Sequence, residues 1–395
     1  MSSGRINSID IMRGFTLLLM LFVNDLNMKV APAWLGHMPA DFDGMGLADW
    51  VFPGFLFIAG TAIPFSFSQR ISRGMTSREL VRHIIIRSIS LIIIGVLMLN
   101  TGRVNAELTG INSNLWALLM YIGVFLVWNN YRNHEQYFFT VSGFRLIGVA
   151  LLVFLVFRFK SGEPENEGSL VTGWWGILGL IGWGYLVSAF IYHAFRDSIP
   201  ATVSFVIFFL ILNIISQLNL LSFLDPARPI FGVIIEGNVP FIMLSGMLAG
   251  ILIKKWTIDE YRFVILSFVI LGIIFLISGF TLRNWFILSK IKATPSWGLV
   301  CSGISYLVLA FLFWIADIKK KTGWASFFRP AGENSLTTYL APDILYHAIW
   351  MSGIPVLIYK QSSEPLVVIA GSILWAVLMV WLTALLKRLG ISLKL

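Results

Sequence analysis

The chain has 395 residues, 57% hydrophobic and only 12% charged, where soluble domains carry about 45–50% and about 25%. With a mean hydropathy of +0.82, that excess is more than one globular core can bury, which excludes a soluble fold and calls for lipid as solvent. The formal charge of +9 comes without a Lys/Arg stripe interleaved with aromatics. Nucleic acid is therefore excluded as a partner, and the excess is assigned to cytoplasmic loops.

A spanning helix needs about 20 mostly apolar residues. In chain order, such segments are predicted at Ser8–Asn27, Leu47–Ser68, His83–Asn100, Ser113–Tyr131, Gly143–Phe159, Trp174–Ala194, Ile199–Leu218, Ile230–Ile253, Phe263–Phe280, Trp297–Asp317, Ser335–Met351 and Leu366–Leu386. The fifth and eleventh are short or interrupted. The first runs on from Ser8 without an A-x-A cleavage site, so it is read as a helix and not as a signal peptide. With the N-terminus inside, Lys and Arg divide seventeen inside to nine outside, which predicts cytoplasmic termini and an even number of spans. Arg283, Lys290 and Lys292 run against this rule, on a predicted outer loop. The polar Ser161–Ser169 stretch, with Glu163, Glu165 and Glu167, reads as an exposed connection. The expected fold is all-α: a polytopic transmembrane helix bundle of about 12 spans, one domain over residues 1–395, in the cell inner (plasma) membrane.

A charge in hydrocarbon costs roughly 2.5–3.5 kcal/mol, so each one asks for a reason. The first segment carries Asp10 and Arg13, three apart and able to pair, then Asn24 and Asp25 toward its outer end. The first outer loop runs from Trp34 through His37 to Asp41 and Asp43, and Asp49 heads the second helix, where a carboxylate is favoured. Histidine is the side chain that titrates near neutral pH, and His37 has Asp41, Asp43 or Asp49 at hand to orient it. It is the best general-base candidate, the alternative being a solvated loop histidine. His83 and His134 read as cytoplasmic or interfacial, and His193 and His347 have no partner at metal-ligand spacing. The single cysteine, Cys301, excludes an intramolecular disulfide and a Cys-based metal site. No H-E-x-x-H, Walker A or G-x-S-x-G motif occurs. The eighth segment holds Glu236 and Asn238 in an apolar run, where Pro240 predicts a kink. Asn334 or Ser335 is the expected cap of the eleventh.

Asp10-x-x-Arg13-Gly14, then Phe22-Val23-Asn24, His37, and Ala48-Asp49-x-Val51-Phe52-Pro53-x-Phe55-x-Phe57-Ile58 form a block that resembles the heparan-α-glucosaminide N-acetyltransferase family and its bacterial relatives. Later blocks follow in the family's order: Gly176 to Ala189, Asp225-Pro226 with Gly232, Trp297 to Tyr306, and Pro330 to Tyr339. The resemblance implies about ten core helices, with residues 113–159 as an inserted helix pair. It implies transfer of acetyl from cytosolic acetyl-CoA to a glucosamine-type amine across the membrane, without a metal. It places the catalytic histidine on His37 and the nearby asparagine, an oxyanion donor, on Asn24. Asp41, Asp43 and Asp49, with Asp25 and Trp34, are the expected amino-sugar contacts. Arg78, Arg82 and Arg87, of a cluster with Arg70 and Arg73, are the expected phosphate contacts for coenzyme A; a positive-inside anchor is the alternative. Asp10, Arg13, Glu236 and Asn334 are expected in structural polar roles. Two departures stand out: Gly179-Leu180 replaces the family's Gln-Arg pair, and Pro342 falls near a family histidine. Rival readings are a saccharide or lipid-linked sugar transporter and an O-acyltransferase of envelope glycans. Expected partners are an amino sugar or glycan and membrane lipid, with a homodimer left open.

Overall fold

A computed structural model describes residues 6–131, 137–163, 168–256 and 260–395. Arg5, Arg132, His134, Glu165 and Glu167 lie outside the described residues. In chain order the helices are α1 Asn7–Asp25, α2 Leu47–Ser72, α3 Ser77–Asn100, α4 Ala106–Thr109, α5 Ser113–Trp128, α6 Phe138–Arg158, α7 Gly176–Phe195, α8 Ile199–Gln217, α9 Arg228–Glu236, α10 Asn238–Lys255, α11 Tyr261–Leu282, α12 Pro295–Leu312, α13 Arg329–Glu333, α14 Ser335–Ser352 and α15 Pro365–Arg388. Each of the twelve expected segments is helical. Among the described residues, nine stretches are long and apolar enough to cross a bilayer. The protein is an all-α, polytopic membrane bundle.

Its layering follows from which helices are apolar all round. Nearly every residue of α10 from Phe241 to Ile253 is buried, as is most of α2; helices without a polar face belong in the centre. Gly60 of α2 and Gly246 and Gly250 of α10 make the central crossing close. A Cβ on Gly246 would lie 1.8 Å from the Phe57 carbonyl oxygen, and one on Gly60 would lie 1.9 Å from that of Met243. With no hydrophobic driving force between helices in lipid, such close backbone approach supplies the packing. Gly246→Leu is therefore expected to separate the two central helices and abolish a monodisperse, heat-stable protein in detergent, as read by size exclusion and thermal unfolding. An unchanged melting temperature would show that the crossing is not under this constraint. Outside this centre, α6, α8 and α11 show mostly apolar outer faces, including Phe157, Ile211 and Ile277, as lipid-facing helices do.

The eighth expected segment breaks at a different place and for a different reason than a proline kink. Gly237, at φ +72°, separates α9 from α10, and Pro240 sits inside the first turn of α10, where its missing N–H costs nothing. Two buried asparagines satisfy the backbone freed near the break. The Asn213 amide donates to the carbonyls of Glu236 (2.7 Å) and Ala293 (3.1 Å), and that of Asn238 donates to Ala293 and Thr294 (both 3.1 Å). Glu236 is not buried beside a kink: its side chain is exposed and lies 3.9 Å from Arg228. Asn334 precedes α14, but its side chain caps nothing and donates back to Pro330 O (3.3 Å). Asp10 and Arg13 do pair, at 3.4 Å.

Cross-element contacts define two faces. On one, Asp317 accepts the N–H groups of Asn7 (2.7 Å) and Ser8 (2.9 Å), Glu333 pairs with Lys387 (2.7 Å), and Ser77 meets His193 (3.1 Å). On the other, Asn27 donates to Lys360 O (2.9 Å), and Asp25 holds Lys360 (2.7 Å) and the hydroxyls of Tyr346 and Tyr359. These are called the Asn7 face and the His37 face below.

Candidate active site

On the His37 face, two loops interlock. Asp43 pairs with Arg283 (2.9 Å) and accepts the N–H of Leu288 (2.9 Å), Asp41 pairs with Lys292 (2.6 Å), and Ser289 donates to Ala40 O (2.8 Å). The three cations that run against the predicted topology thus meet the loop before α2: Arg283 and Lys292 meet its acids, and Lys290 meets His37. The Leu288 N–H holds the Asp43 carboxyl below its ordinary range, aided by Arg283, and Lys292 does the same for Asp41.

Within this clasp, His37 and Asp49 form a dyad. Gly46, in extended backbone, starts α2 and places Asp49 in its first turn. There the carboxylate accepts the N–H groups of Gly46 (2.9 Å) and Met38 (3.1 Å) and lies 2.8 Å from His37 Nδ1. Asp49 is buried, while the imidazole is about half exposed. A buried carboxylate on Nδ1 fixes the proton there and leaves Nε2 as the basic atom. Lys290 Nζ lies 3.2 Å from both ring nitrogens. Burial pushes the Lys290 ammonium down to about 8 against the pull of Asp49. Behind the dyad, Pro53 lacks the N–H that would bond Asp49 O. Trp297 Nε1 donates to that carbonyl instead (3.1 Å).

The other expected site residues are dispersed. Asn24 is exposed at the end of α1 and makes no hydrogen bond to His37. Asp25 is committed to Tyr346, Tyr359 and Lys360, and Trp34 is exposed.

At the Asn7 face a cavity of about 350 Å³ enters the bundle between α1, α2, α3, α7 and α14. Its outer part carries Arg13, Arg70, Arg87 and Lys394, and its deep part Met20, Phe55, Ile177 and Met243. From Arg70 to Phe55 the cavity follows α2 for about 22 Å, at 1.5 Å per residue. It ends about 9 Å short of Asp49 by the same measure, so His37 does not line it. Among the described residues no carboxylate pairs with Arg70, Arg87 or Lys394. Arg70 is held by Ser66, and Arg87 lies over the Tyr185 ring at 4.8 Å. Of the three arginines expected to bind phosphate, only Arg87 reaches the cavity. Arg78 and Arg82 line a shallow surface groove with Ser77, Val81, Ile85 and Ile86. Arg78 and Arg82 share one helical face, and five residues of helix rotate Arg87 roughly 140° away.

Comparison with known proteins agrees with the resemblance in the sequence. Residues 5–171 match a family model described only as a domain of unknown function, DUF5009. The mouse heparan-alpha-glucosaminide N-acetyltransferase is 34% identical over 123 residues, 31% of this chain and 18% of the mouse protein. The human protein of that name is 34% identical over 120 residues, 30% of this chain and 18% of its own length. The chain resembles the heparan-alpha-glucosaminide N-acetyltransferases. The match spans about a fifth of the length of these curated relatives.

Sequence reasoning placed Arg70 in the arginine cluster with Arg87 but passed over Lys290 and Lys394. Lys290 had a legible signal: a basic residue on a loop predicted to lie outside calls for a local partner, and the loop between α1 and α2 is rich in acids. Lys394 had none, because it reaches the cavity only through the folded packing of the last residues.

Proposed function

We propose that this chain is a membrane N-acetyltransferase that moves acetyl from acetyl-CoA, entering at the Asn7 face, to a glucosamine-type amine at the His37 face. The observation that carries this reading is a carboxylate-oriented imidazole at one end of a bundle whose other end holds a cavity lined by Arg70, Arg87 and Lys394, none of which pairs with a carboxylate among the described residues. Arg70, Arg87 and Lys394 suit the phosphates of coenzyme A, and the apolar depth suits its narrow pantetheine arm. His37 Nε2 takes the proton as the sugar nitrogen attacks the thioester carbon; the carbon–sulfur bond breaks, and the imidazolium passes that proton to the leaving sulfur, so that coenzyme A leaves as the thiol and His37 returns to its neutral form. Asp49 keeps the Nδ1 proton in place and stabilises the imidazolium. Asp41 and Asp43, the expected sugar contacts, hold the lip of the site through Lys292 and Arg283. Asn24 remains a candidate oxyanion donor, reaching the reacting carbon if the outer end of α1 closes on substrate. Transfer needs the cavity to extend past the turn from Trp50 to Gly54, where Pro53 has already removed one helical hydrogen bond. The Asn7 face is then cytoplasmic and the His37 face periplasmic, with the protein in the inner membrane.

The test uses purified protein in sealed vesicles, with labelled acetyl-CoA on the Asn7 side and glucosamine on the other. N-acetylglucosamine, identified by mass as the amide, is the expected product. Sugar movement that needs no acetyl-CoA, or an ester product, would replace this reading by transport or O-acylation.

A pH effect follows from Lys290. As an ammonium it donates toward Nε2 and occupies the basic atom; above about 8 it is neutral and releases that atom. The transfer rate is expected to climb through about pH 8, and Lys290→Met to shift that rise to lower pH. An identical profile in wild type and Lys290→Met would remove Lys290 from the chemistry.

A further inference from the structure

The last residues of the chain fold back as a strap. After α15 the chain turns through Gly390, at φ +83°, and residues 391–395 run into the space between the end of α5 and the start of α14. Four backbone bonds pin them. Ser392 N donates to Asn129 Oδ1 (2.8 Å), and its carbonyl accepts the N–H of Asn130 (2.8 Å). Leu393 N donates to Thr337 Oγ1 (2.8 Å), and Lys394 N to Trp128 O (3.0 Å). Leu393 is buried, and Leu393, Lys394 and Leu395 line the cavity on the Asn7 face. Three of the four anchoring residues, Trp128, Asn129 and Asn130, lie at the end of α5, the first helix of the pair α5–α6. The end of α5 is therefore the bracket that holds the strap against α14.

The cations of the cavity are graded in depth. Arg87 lies ten residues inside α3, Arg70 lies in the last turn of α2, and Lys394 lies beyond the end of α15. Coenzyme A is graded in the same order: a neutral arm, then a pyrophosphate, then a ribose 3′-phosphate farthest from the thioester. With the arm in the apolar depth, the pyrophosphate falls at Arg87 and Arg70 and the 3′-phosphate at the strap.

We propose that Lys394, held by the α5 bracket, is a donor-specificity residue that reads the ribose 3′-phosphate of coenzyme A. This rests on the donor reading above. The Lys394 side chain is exposed at the rim of the cavity, and the backbone bonds fix where the strap presents it.

The experiment measures equilibrium binding of coenzyme A and 3′-dephospho-coenzyme A to the full chain in detergent. Wild type, Lys394→Ala, Lys394→Arg and the strap-releasing double variant Asn129→Ala/Thr337→Val are compared. Lys394→Ala and the double variant are expected to weaken coenzyme A binding about tenfold or more, the loss of one charge-assisted phosphate contact. Both should leave dephospho-coenzyme A binding unchanged, and Lys394→Arg should keep most of the affinity. Equal coenzyme A affinity in wild type and Lys394→Ala, or an equal loss for both ligands, overturns the proposal while leaving the donor reading intact. Wild type that binds neither ligand overturns both.

Discussion

His37→Ala is expected to lower acetyl transfer to glucosamine by about 10²–10⁴-fold, the usual contribution of a positioned general base. The expectation rests on geometry. The imidazole is held at Nδ1 by a buried carboxylate at 2.8 Å, and that carboxylate is fixed by two backbone N–H groups. Solvation alone would not require that arrangement. Asp49→Asn should produce a loss of similar direction, because an amide can present its N–H to Nδ1 and turn the ring's proton onto Nε2, the atom that must stay basic. The pair of variants separates catalysis from folding. Asp49→Asn keeps a carbonyl oxygen for the N–H groups of Gly46 and Met38, so the head of α2 should persist and the helical circular dichroism should be unchanged. Transfer by His37→Ala at the wild-type rate would leave the dyad as a structural cap and remove the chemistry from this end of the bundle.

The second large effect lies at the opposite face. Arg70→Ala and Arg87→Ala are each expected to weaken coenzyme A binding by about 10–100-fold, since hydrogen bonds to charged groups contribute about 1.5–3 kcal/mol. Arg87 is the more informative. It is ten residues inside α3, stacked on Tyr185, and its Nε is buried with no hydrogen-bond partner. A guanidinium with a buried, unpartnered Nε beside another arginine is costly unless something compensates it. An anionic ligand is the compensation proposed here. Arg87→Lys tests the geometry: it keeps the charge but loses the planar fork, and should recover only part of the affinity. Arg78→Ala and Arg82→Ala, in the shallow groove on the other side of the same helix, should leave binding unchanged. If Arg78→Ala weakens binding as much as Arg87→Ala does, the phosphates sit on the surface and the cavity is not the donor site.

The helices were legible because their signal is local. Lipid requires a spanning segment to satisfy its own backbone and to show apolar side chains outward, so the long helices announce themselves in the composition of about 20 consecutive residues. The pairing of Asp10 with Arg13 was legible for the same reason: three residues of helix fix their separation. Asp49 at the head of α2 and His37 in the loop before it are also near neighbours, twelve residues apart.

What the sequence could not give depends on contacts between distant parts of the chain. His37 had three candidate carboxylates, and only the loop between α11 and α12 decides among them: Arg283 takes Asp43, Lys292 takes Asp41, and Asp49 is left for the imidazole. Arg82 and Arg87 look alike in a list of cationic residues, yet helical rotation sends one to the surface and the other to the cavity. Lys394 sits 324 residues from Arg70 and joins it only because Asn129 and Thr337 hold the strap in place. Composition and periodicity fixed the solvent and the helices, because those terms act residue by residue. Which polar groups meet was decided by tertiary packing, because a buried charge takes its meaning from whatever the rest of the fold brings within reach.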